Sequence, residues 1–327
     1  MKKRISILGS TGSIGINALK IADSLPDIFK IKNLTANSNF ELLIEQTKKY
    51  NPRSICIVQE QFYKSLKEGV NSKQVEILVG RQGLIELCKQ KDVDVMLNGL
   101  VGAAGMEPTL NALESGVNVA LANKESLVMA GGIINAAMKI SGAKLFPVDS
   151  EHSAIWQCLA GENLNEVRKI ILTGSGGPFR TRGLETFDDI TVREALNHPN
   201  WDMGKKISID SATMMNKCLE VIEAYWLFNL HPKNIDIIIH PQSIVHSMVE
   251  FNDGSIKAQM GVPDMKVPIQ YALTYPSHLN SQWKRLDLLS CDDLTFRKPD
   301  FKRFPSLKLA YAWVNTGGTA SAALNLS

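Results

Sequence analysis

Asp149 and Glu151 stand two residues apart in the segment Pro147-Val148-Asp149-Ser150-Glu151-His152. In an extended chain that spacing turns both carboxylates to one side. Two converging carboxylate oxygens suit Mg²⁺ or Mn²⁺, hard cations that keep room for substrate oxygens. A helix start, with Asp and Ser as caps and Glu in the first turn, would use the same residues. A third acid, Glu220, ends the stretch Asp210-Ser211-Ala212-Thr213-Met214-Met215-Asn216-Lys217-Cys218-Leu219-Glu220, which reads as one capped helix. Asn216 and Glu220 then share a face, Lys217 is adjacent, and Ser211 lies near the helix start. Hydroxyl, amide and ammonium donors of this kind hold a phosphate. Four residues of helix rise roughly 6 Å, the length of a short sugar phosphate, so one end can meet donors and the other a metal. Met214 and Met215 read as packing.

Between these acids lie Thr173-Gly174-Ser175-Gly176-Gly177-Pro178-Phe179 and His198-Pro199-Asn200-Trp201-Asp202-Met203-Gly204. The first fits an anion-accepting loop at a strand end. The second is a polar connection whose Trp201 suits a water-excluding lid, although His198 alone would be read as a surface histidine. Ser243, in His240-Pro241-Gln242-Ser243, serves equally as a hydroxyl of the site or as a turn residue.

Phosphate chemistry also fits the glycine-rich turn Gly9-Ser10-Thr11-Gly12-Ser13-Ile14-Gly15. It follows the apolar run 4–8 and precedes a helical pattern. Glycine there lets backbone approach a pyrophosphate while the free N–H groups of the helix face its charge. The spacing G-x-x-G-x-x-G is looser than the strict dinucleotide fingerprint, and an ordinary glycine-rich turn shares it. Two further loops, 98–105 and 122–126, also follow apolar runs. Flexible connector and solvated helix start are their plain readings.

These residues need a frame. Short apolar runs at 4–8, 31–35, 54–58, 75–79, 93–97, 117–121 and 143–146 alternate with helix-length segments, which predicts an α/β fold with a doubly wound, Rossmann-like parallel sheet. The second run ends in Ala36-Asn37-Ser38-Asn39, with no acid to hold a ribose 2′-hydroxyl, which favours NADP over NAD. Runs at 167–172, 235–239, 245–251 and 255–260 predict a second sheet in an α+β domain, with Asn252-Asp253-Gly254 as a hairpin turn.

With 36 Lys+Arg against 33 Asp+Glu in 327 residues, the chain lacks the basic surplus of a nucleic-acid or membrane-surface binder. Cys56, Cys88, Cys158, Cys218 and Cys291 are scattered and never form C-x-x-C, so buried reduced thiols are expected rather than disulfides or a zinc cluster. The basic start lacks a proper signal core, and no run is long enough to span a bilayer, so a cytoplasmic protein is expected.

Taken in order, G-S-T-G-S-I-G, N-G-L-V-G-A-A-G, L-A-N-K-E-S-L-V, P-V-D-S-E-H, T-G-S-G-G-P-F, H-P-N-W-D-M-G, D-S-A-T-M-M-N-K-C-L-E and H-P-Q-S-I-V-H-S-M-V resemble the 1-deoxy-D-xylulose 5-phosphate reductoisomerase family of the non-mevalonate isoprenoid pathway. The resemblance runs from about residue 4 to residue 325. It implies a metal-assisted skeletal rearrangement of a phosphorylated ketose to a branched aldehyde, which NADPH reduces to 2-C-methyl-D-erythritol 4-phosphate. By the same resemblance Asp149, Glu151 and Glu220 are metal ligands and, with Lys124 and His198, catalytic. Lys124, Ser150, Glu151, Ser175, His198, Trp201, Ser211, Asn216, Lys217 and Glu220 fall on substrate positions. Thr11, Gly12, Ser13, Ile14, Asn37, Ser38, Asn39, Asn123, Glu125 and Gly204 fall on cofactor positions. Asn37-Ser38 departs from relatives, which often carry Gly and then a basic or small residue. The resemblance further implies a homodimer through the 235–260 region and a division into residues 1–148 (NADP-binding), 149–274 (catalytic), a linker 275–300 and the start of a helical domain at 301–327. Most of that helical domain is expected to be absent, which leaves an inactive or weakly active NADP-binding fragment as the alternative reading.

Overall fold

The computed structural model describes residues 2–70, 75–197, 201 and 204–326. The chain divides into two compact units, one running to Asp149 and including Met265–Trp283, the other made of Ser150–Asp264 and Lys284–Ser327.

The first unit holds seven strands, β1 (Lys3–Leu8), β2 (Phe29–Ala36), β3 (Ser54–Ile57), β4 (Glu76–Val79), β5 (Val95–Asn98), β6 (Asn118–Leu121) and β7 (Leu145–Pro147). They form one sheet in the order β4-β3-β2-β1-β5-β6-β7, and every neighbouring pair is parallel. Ile5, Ile7, Leu34, Ile55, Val95 and Leu97 are buried completely, because a parallel sheet wound with crossover helices is covered on both faces and its strands read as continuous apolar runs. Strand order reverses direction at β1, which is flanked by β2 and β5. That is the switch point at whose carboxyl ends open α/β sheets bind ligands.

The helix Lys266–Thr274 belongs to this unit rather than to the 149–274 segment expected from sequence. Its buried side chains include Ile269, Tyr271, Ala272 and Leu273, and it contacts the helix Ser13–Ser24 and strands β6 and β7. An apolar face of that width needs a partner, and the covered sheet supplies one.

The second unit is built on β8 (Val167–Gly174), β9 (Ile235–Ile239), β10 (Val245–Phe251) and β11 (Ile256–Met260), in the order β11-β10-β8-β9. The expected hairpin joins β10 and β11, with Gly254 at φ 86°. A core of Ile170, Leu172, Cys218, Val221, Ile235, Val249 and Leu307 packs helices onto the sheet. The strap 284–300 meets the edge strand β9 of this sheet through an isolated antiparallel bridge between Ile239 and Arg297. The helix Ser306–Thr316 lies on the helix Met215–Phe228, where Tyr225 and Trp313 meet edge to face at 5.1 Å. No helix among the described residues is long and apolar enough to cross a membrane.

Candidate active site

In the first unit the glycine turn closes β1 and opens the helix Ser13–Ser24. Gly12 caps that helix in extended conformation without a side-chain hydrogen bond, and Gly12 and Ser13 are exposed between half-buried Thr11 and Ile14. The first N–H groups of the helix therefore stay available to an anion. Gly15 is required sterically, since a Cβ there would stand 2.4 Å from the Gly9 carbonyl oxygen and 2.4 Å from Ser10 Cα. Asn37, Ser38 and Asn39 are exposed at the end of β2, and Asn39 caps the helix Phe40–Tyr50 by accepting from the Leu42 N–H at 3.1 Å.

Asn123 and Glu125 open the long helix Lys124–Ser141 and are buried. The Asn123 amide is turned into the protein: it donates to the carbonyls of Leu100 and Gly102, at 3.0 and 2.9 Å, and accepts from the Ser126 N–H at 3.0 Å. Beside it, the Lys124 ammonium donates to Asp149 Oδ2 at 2.8 Å, and the two side chains are only 7% and 11% exposed.

In the second unit the centre is Lys217. Its Nζ donates to Glu151 Oε1 at 2.6 Å, to Glu220 Oε2 at 2.5 Å and to the Thr173 carbonyl at 2.5 Å. Burial by itself lowers the pKa of this fully enclosed ammonium, but the charges and hydrogen bonds of Glu151 and Glu220 outweigh it and raise the value above that of an ordinary lysine. Ser150 Oγ donates to Glu151 Oε2 at 2.5 Å, and Asn216 Nδ2 donates to Glu220 Oε1. Gly174 leaves room for this lysine, since a Cβ there would meet Lys217 Cε at 3.0 Å.

Asp149 is joined by one peptide bond to the helix Ser150–Cys158, so the chain itself holds its carboxylate beside Glu151. One oxygen each from Asp149, Glu151 and Glu220 lies within 4.8 Å of the other two. The extended geometry expected for residues 149–151 is not what brings them together. Glu151 occupies the first turn of a helix, and 100° per residue rather than 180° sets its direction.

A second correction concerns residues 210–220, which form no single helix. One helix, Lys205–Ala212, ends there and another, Met215–Phe228, begins after Met214, whose φ of 58° breaks the path. Ser211 thus sits in a last turn instead of a first one. It still approaches the glycine loop after β8, because a Cβ on Gly177 would lie 2.7 Å from the Ser211 carbonyl oxygen. In that loop Ser175 Oγ accepts from the Gly177 N–H at 3.2 Å. Met214 is buried and Met215 packs on the core, as expected.

Gly204 caps the helix Lys205–Ala212 and is exposed. Trp201 is half-buried and its ring lies 6.2 Å from that of His246. Burial pulls the His246 pKa down, against the nearby Glu151 charge, which raises it. His198 lies outside the described residues. Ser243 is buried with φ 52° just before β10.

Sequence reasoning missed His152 and Glu223. The His152 ring nitrogen Nε2 lies 2.9 Å from the Glu220 carbonyl oxygen, and Nδ1 lies 3.3 Å from Glu223 Oε2. Both side chains are almost wholly enclosed. Glu223 follows Glu220 by three residues, the helical spacing that places it on the same face, and that was the available signal.

The donor set is all oxygen and acidic, which fits a hard divalent cation.

Three family descriptions match the chain: 1-deoxy-D-xylulose 5-phosphate reductoisomerase over residues 5–131, its C-terminal domain over 145–228, and a further reductoisomerase C-terminal domain over 260–327. The 1-deoxy-D-xylulose 5-phosphate reductoisomerase of Chloroherpeton thalassium is 54% identical over 323 residues, covering 99% of this chain and 84% of the relative. That of Bacteroides fragilis is 50% identical over 324 residues, with 99% and 84% covered. A crystal structure of DOX-P reductoisomerase in complex with NADPH, fosmidomycin and magnesium superposes with a TM-score of 0.94 at 43% identity, covering 99% of this chain and 82% of that one. The Zymomonas mobilis enzyme in complex with NADPH gives 0.94 at 42%, with 99% and 84% covered. With its motifs, both folded units and nearly its whole length matched, the chain belongs to the 1-deoxy-D-xylulose 5-phosphate reductoisomerase family.

Proposed function

We propose that the chain is an NADPH-dependent enzyme that converts 1-deoxy-D-xylulose 5-phosphate to 2-C-methyl-D-erythritol 4-phosphate, in the non-mevalonate route to isoprenoid precursors. The observation that carries this reading is the oxygen cluster of Asp149, Glu151 and Glu220, in which the buried Lys217 ties Glu151 and Glu220 to the Thr173 carbonyl near the end of β8. Relatives of this chain crystallise with NADPH and magnesium.

Asp149, Glu151 and Glu220 would hold Mg²⁺ or Mn²⁺. A bound cation supplies Lewis acidity toward the oxygens of a ketose. Bound NADPH would supply a hydride; the rearrangement leaves composition unchanged, and hydride plus one proton would turn the branched aldehyde into the alcohol.

The protein's own groups bind and orient. Ser175, Ser211, Asn216 and Lys217 are proposed to receive the phosphate end, supported by the close approach of the Ser175 loop to Ser211. Ser150 and Glu151 are proposed to face the substrate hydroxyls, and Lys124 holds Asp149 in place while offering an ammonium to substrate. His198 and Trp201 are proposed to close over the substrate and exclude water. Thr11, Gly12, Ser13, Ile14, Asn37, Ser38 and Asn39, with Asn123, Glu125 and Gly204, are proposed to meet the cofactor. A Gly15 cradle that any Cβ would fill supports that placement. A homodimer through residues 235–260 is proposed as well. It is supported by β11, an edge strand whose Ile256 is 53% exposed, since an uncovered edge invites pairing.

The test follows NADPH absorbance with 1-deoxy-D-xylulose 5-phosphate and identifies the product by mass. Turnover must need both the ketose phosphate and Mg²⁺ or Mn²⁺. Turnover that survives a chelator would reject the reading.

A further inference from the structure

Two asparagines at strand ends in the first unit do more than pack. Asn98 closes β5 and is completely buried. Its Nδ2 donates to the Gly105 carbonyl and to Thr109 Oγ1, both at 2.8 Å, and its Oδ1 accepts from the Leu100 N–H at 3.1 Å. Thr109 Oγ1 lies 2.9 Å from the same Gly105 carbonyl and 3.5 Å from Ser126 Oγ. Asn123, 1% exposed, reaches the loop from the other side through the carbonyls of Leu100 and Gly102 and a further contact to Glu125 Oε2 at 3.2 Å. Its oxygen takes the Ser126 N–H and the Ser126 hydroxyl.

An asparagine amide has two N–H donors and two acceptor lone pairs. All of those on Asn123 are engaged within the protein. What it controls is the backbone of residues 99–105, whose carbonyls at Leu100, Gly102 and Gly105 all end on these two amides.

That backbone abuts the dinucleotide turn. The Gly99 N–H donates to the Leu8 carbonyl at 3.1 Å, a Cβ on Gly9 would lie 3.2 Å from the Gly99 carbonyl oxygen, and a Cβ on Gly99 would lie 3.2 Å from Ile14. On its open side the loop shows Val101, 71% exposed, a large apolar side chain beside the turn.

We infer that Asn98, Thr109 and Ser126 are positioning residues that, together with Asn123, fix the 99–105 loop as a wall of the NADPH site. The inference rests on the cofactor reading above.

NADPH binding to the full chain by fluorescence titration tests it, with Mn²⁺ affinity measured in parallel. Thr109→Val removes one hydroxyl at constant shape, Thr109→Ser keeps it, and Asn123→Asp keeps the acceptor but deletes both N–H donors. Thr109→Val and Asn123→Asp should weaken NADPH binding about tenfold or more. Thr109→Ser should bind like the parent, and Mn²⁺ affinity should stay within about twofold throughout. Folded Thr109→Val and Asn123→Asp proteins that bind NADPH as the parent does would overturn the inference. So would an equal loss in Mn²⁺ affinity, which marks a general structural defect. A parent chain that binds no NADPH overturns the cofactor reading itself, and is recognised before any variant is compared. Should either variant fail to fold, Ser126→Ala carries the test, with faster hydrogen exchange at the Leu100 amide expected beside the weaker binding.

Discussion

Lys217 and Glu151 are 66 residues apart in sequence and joined at 2.6 Å in space. The same ammonium reaches Glu220 on its own helix at 2.5 Å. One buried cation therefore binds together two acids from different helices, and its removal leaves both uncompensated in a poorly solvated place.

Lys217→Met should cost about 3–5 kcal/mol of stability, the range for breaking a buried ion pair by deleting one partner. Urea unfolding in the absence of divalent cation measures it. A variant as stable as the parent would mean that the carboxylates are hydrated or protonated in the native state.

Gly15→Ala places a methyl group 2.4 Å from the Gly9 carbonyl oxygen, against backbone that cannot yield as a side chain can. A loss of about 1–3 kcal/mol is expected, together with weaker NADPH binding as the turn shifts. Gly12→Ala, whose Cβ would lie 3.4 Å from its nearest neighbour, is the milder control. Equal NADPH affinity in both variants and the parent would remove the turn from the cofactor site.

Burial pushes the thiols of Cys56, Cys88 and Cys218 up to about 12 and that of Cys158 up to about 11. Alkylation needs thiolate and access. Iodoacetamide at pH 8 should therefore label only Cys291 in the native protein, and all five cysteines after unfolding, as counted by mass. Rapid native labelling of a second cysteine contradicts the packing described.

The Arg4 guanidinium, hydrogen-bonded to Asp94, holds that carboxyl below its ordinary range. A depressed folded pKa contributes stability above the unfolded carboxyl value of about 3.9, and the contribution is lost as pH falls through the folded value. Asp94→Asn should accordingly be less stable than the parent at pH 7, and the gap should close in acid. The pair is partly exposed, so the effect is modest. A gap that widens in acid would show the sign to be wrong.

The parallel sheet was legible because its strands are continuous apolar runs separated by helix-length segments, and each of the seven expected runs overlaps a strand. Site geometry was less so. Asp149 and Glu151 are correctly paired by spacing, but i and i+2 has one meaning in a strand and another in a first helical turn, and Ser150 as helix start decides between them. Met214 carries no local mark of a left-handed residue, since methionine seldom adopts it, so the break before Asn216 was invisible. Lys217 was legible as a donor beside a phosphate, but not as the partner of Glu151, because that contact depends on how helix and sheet pack. Asn98 was likewise seen only as part of a loop, although its fixed role comes from Gly105, at the end of that loop, and Thr109, on the helix Met106–Glu114 that follows.

The central claim is that Asp149, Glu151 and Glu220 together hold a single divalent cation. Electron paramagnetic resonance titration with Mn²⁺ tests it most directly, because free and bound ion are counted separately. One Mn²⁺ should bind per chain, displaced by Mg²⁺, and Glu220→Gln and Asp149→Asn should each weaken it about 100-fold or more. Mn²⁺ that binds equally well to the parent and both variants, or not at all to the parent, contradicts the account.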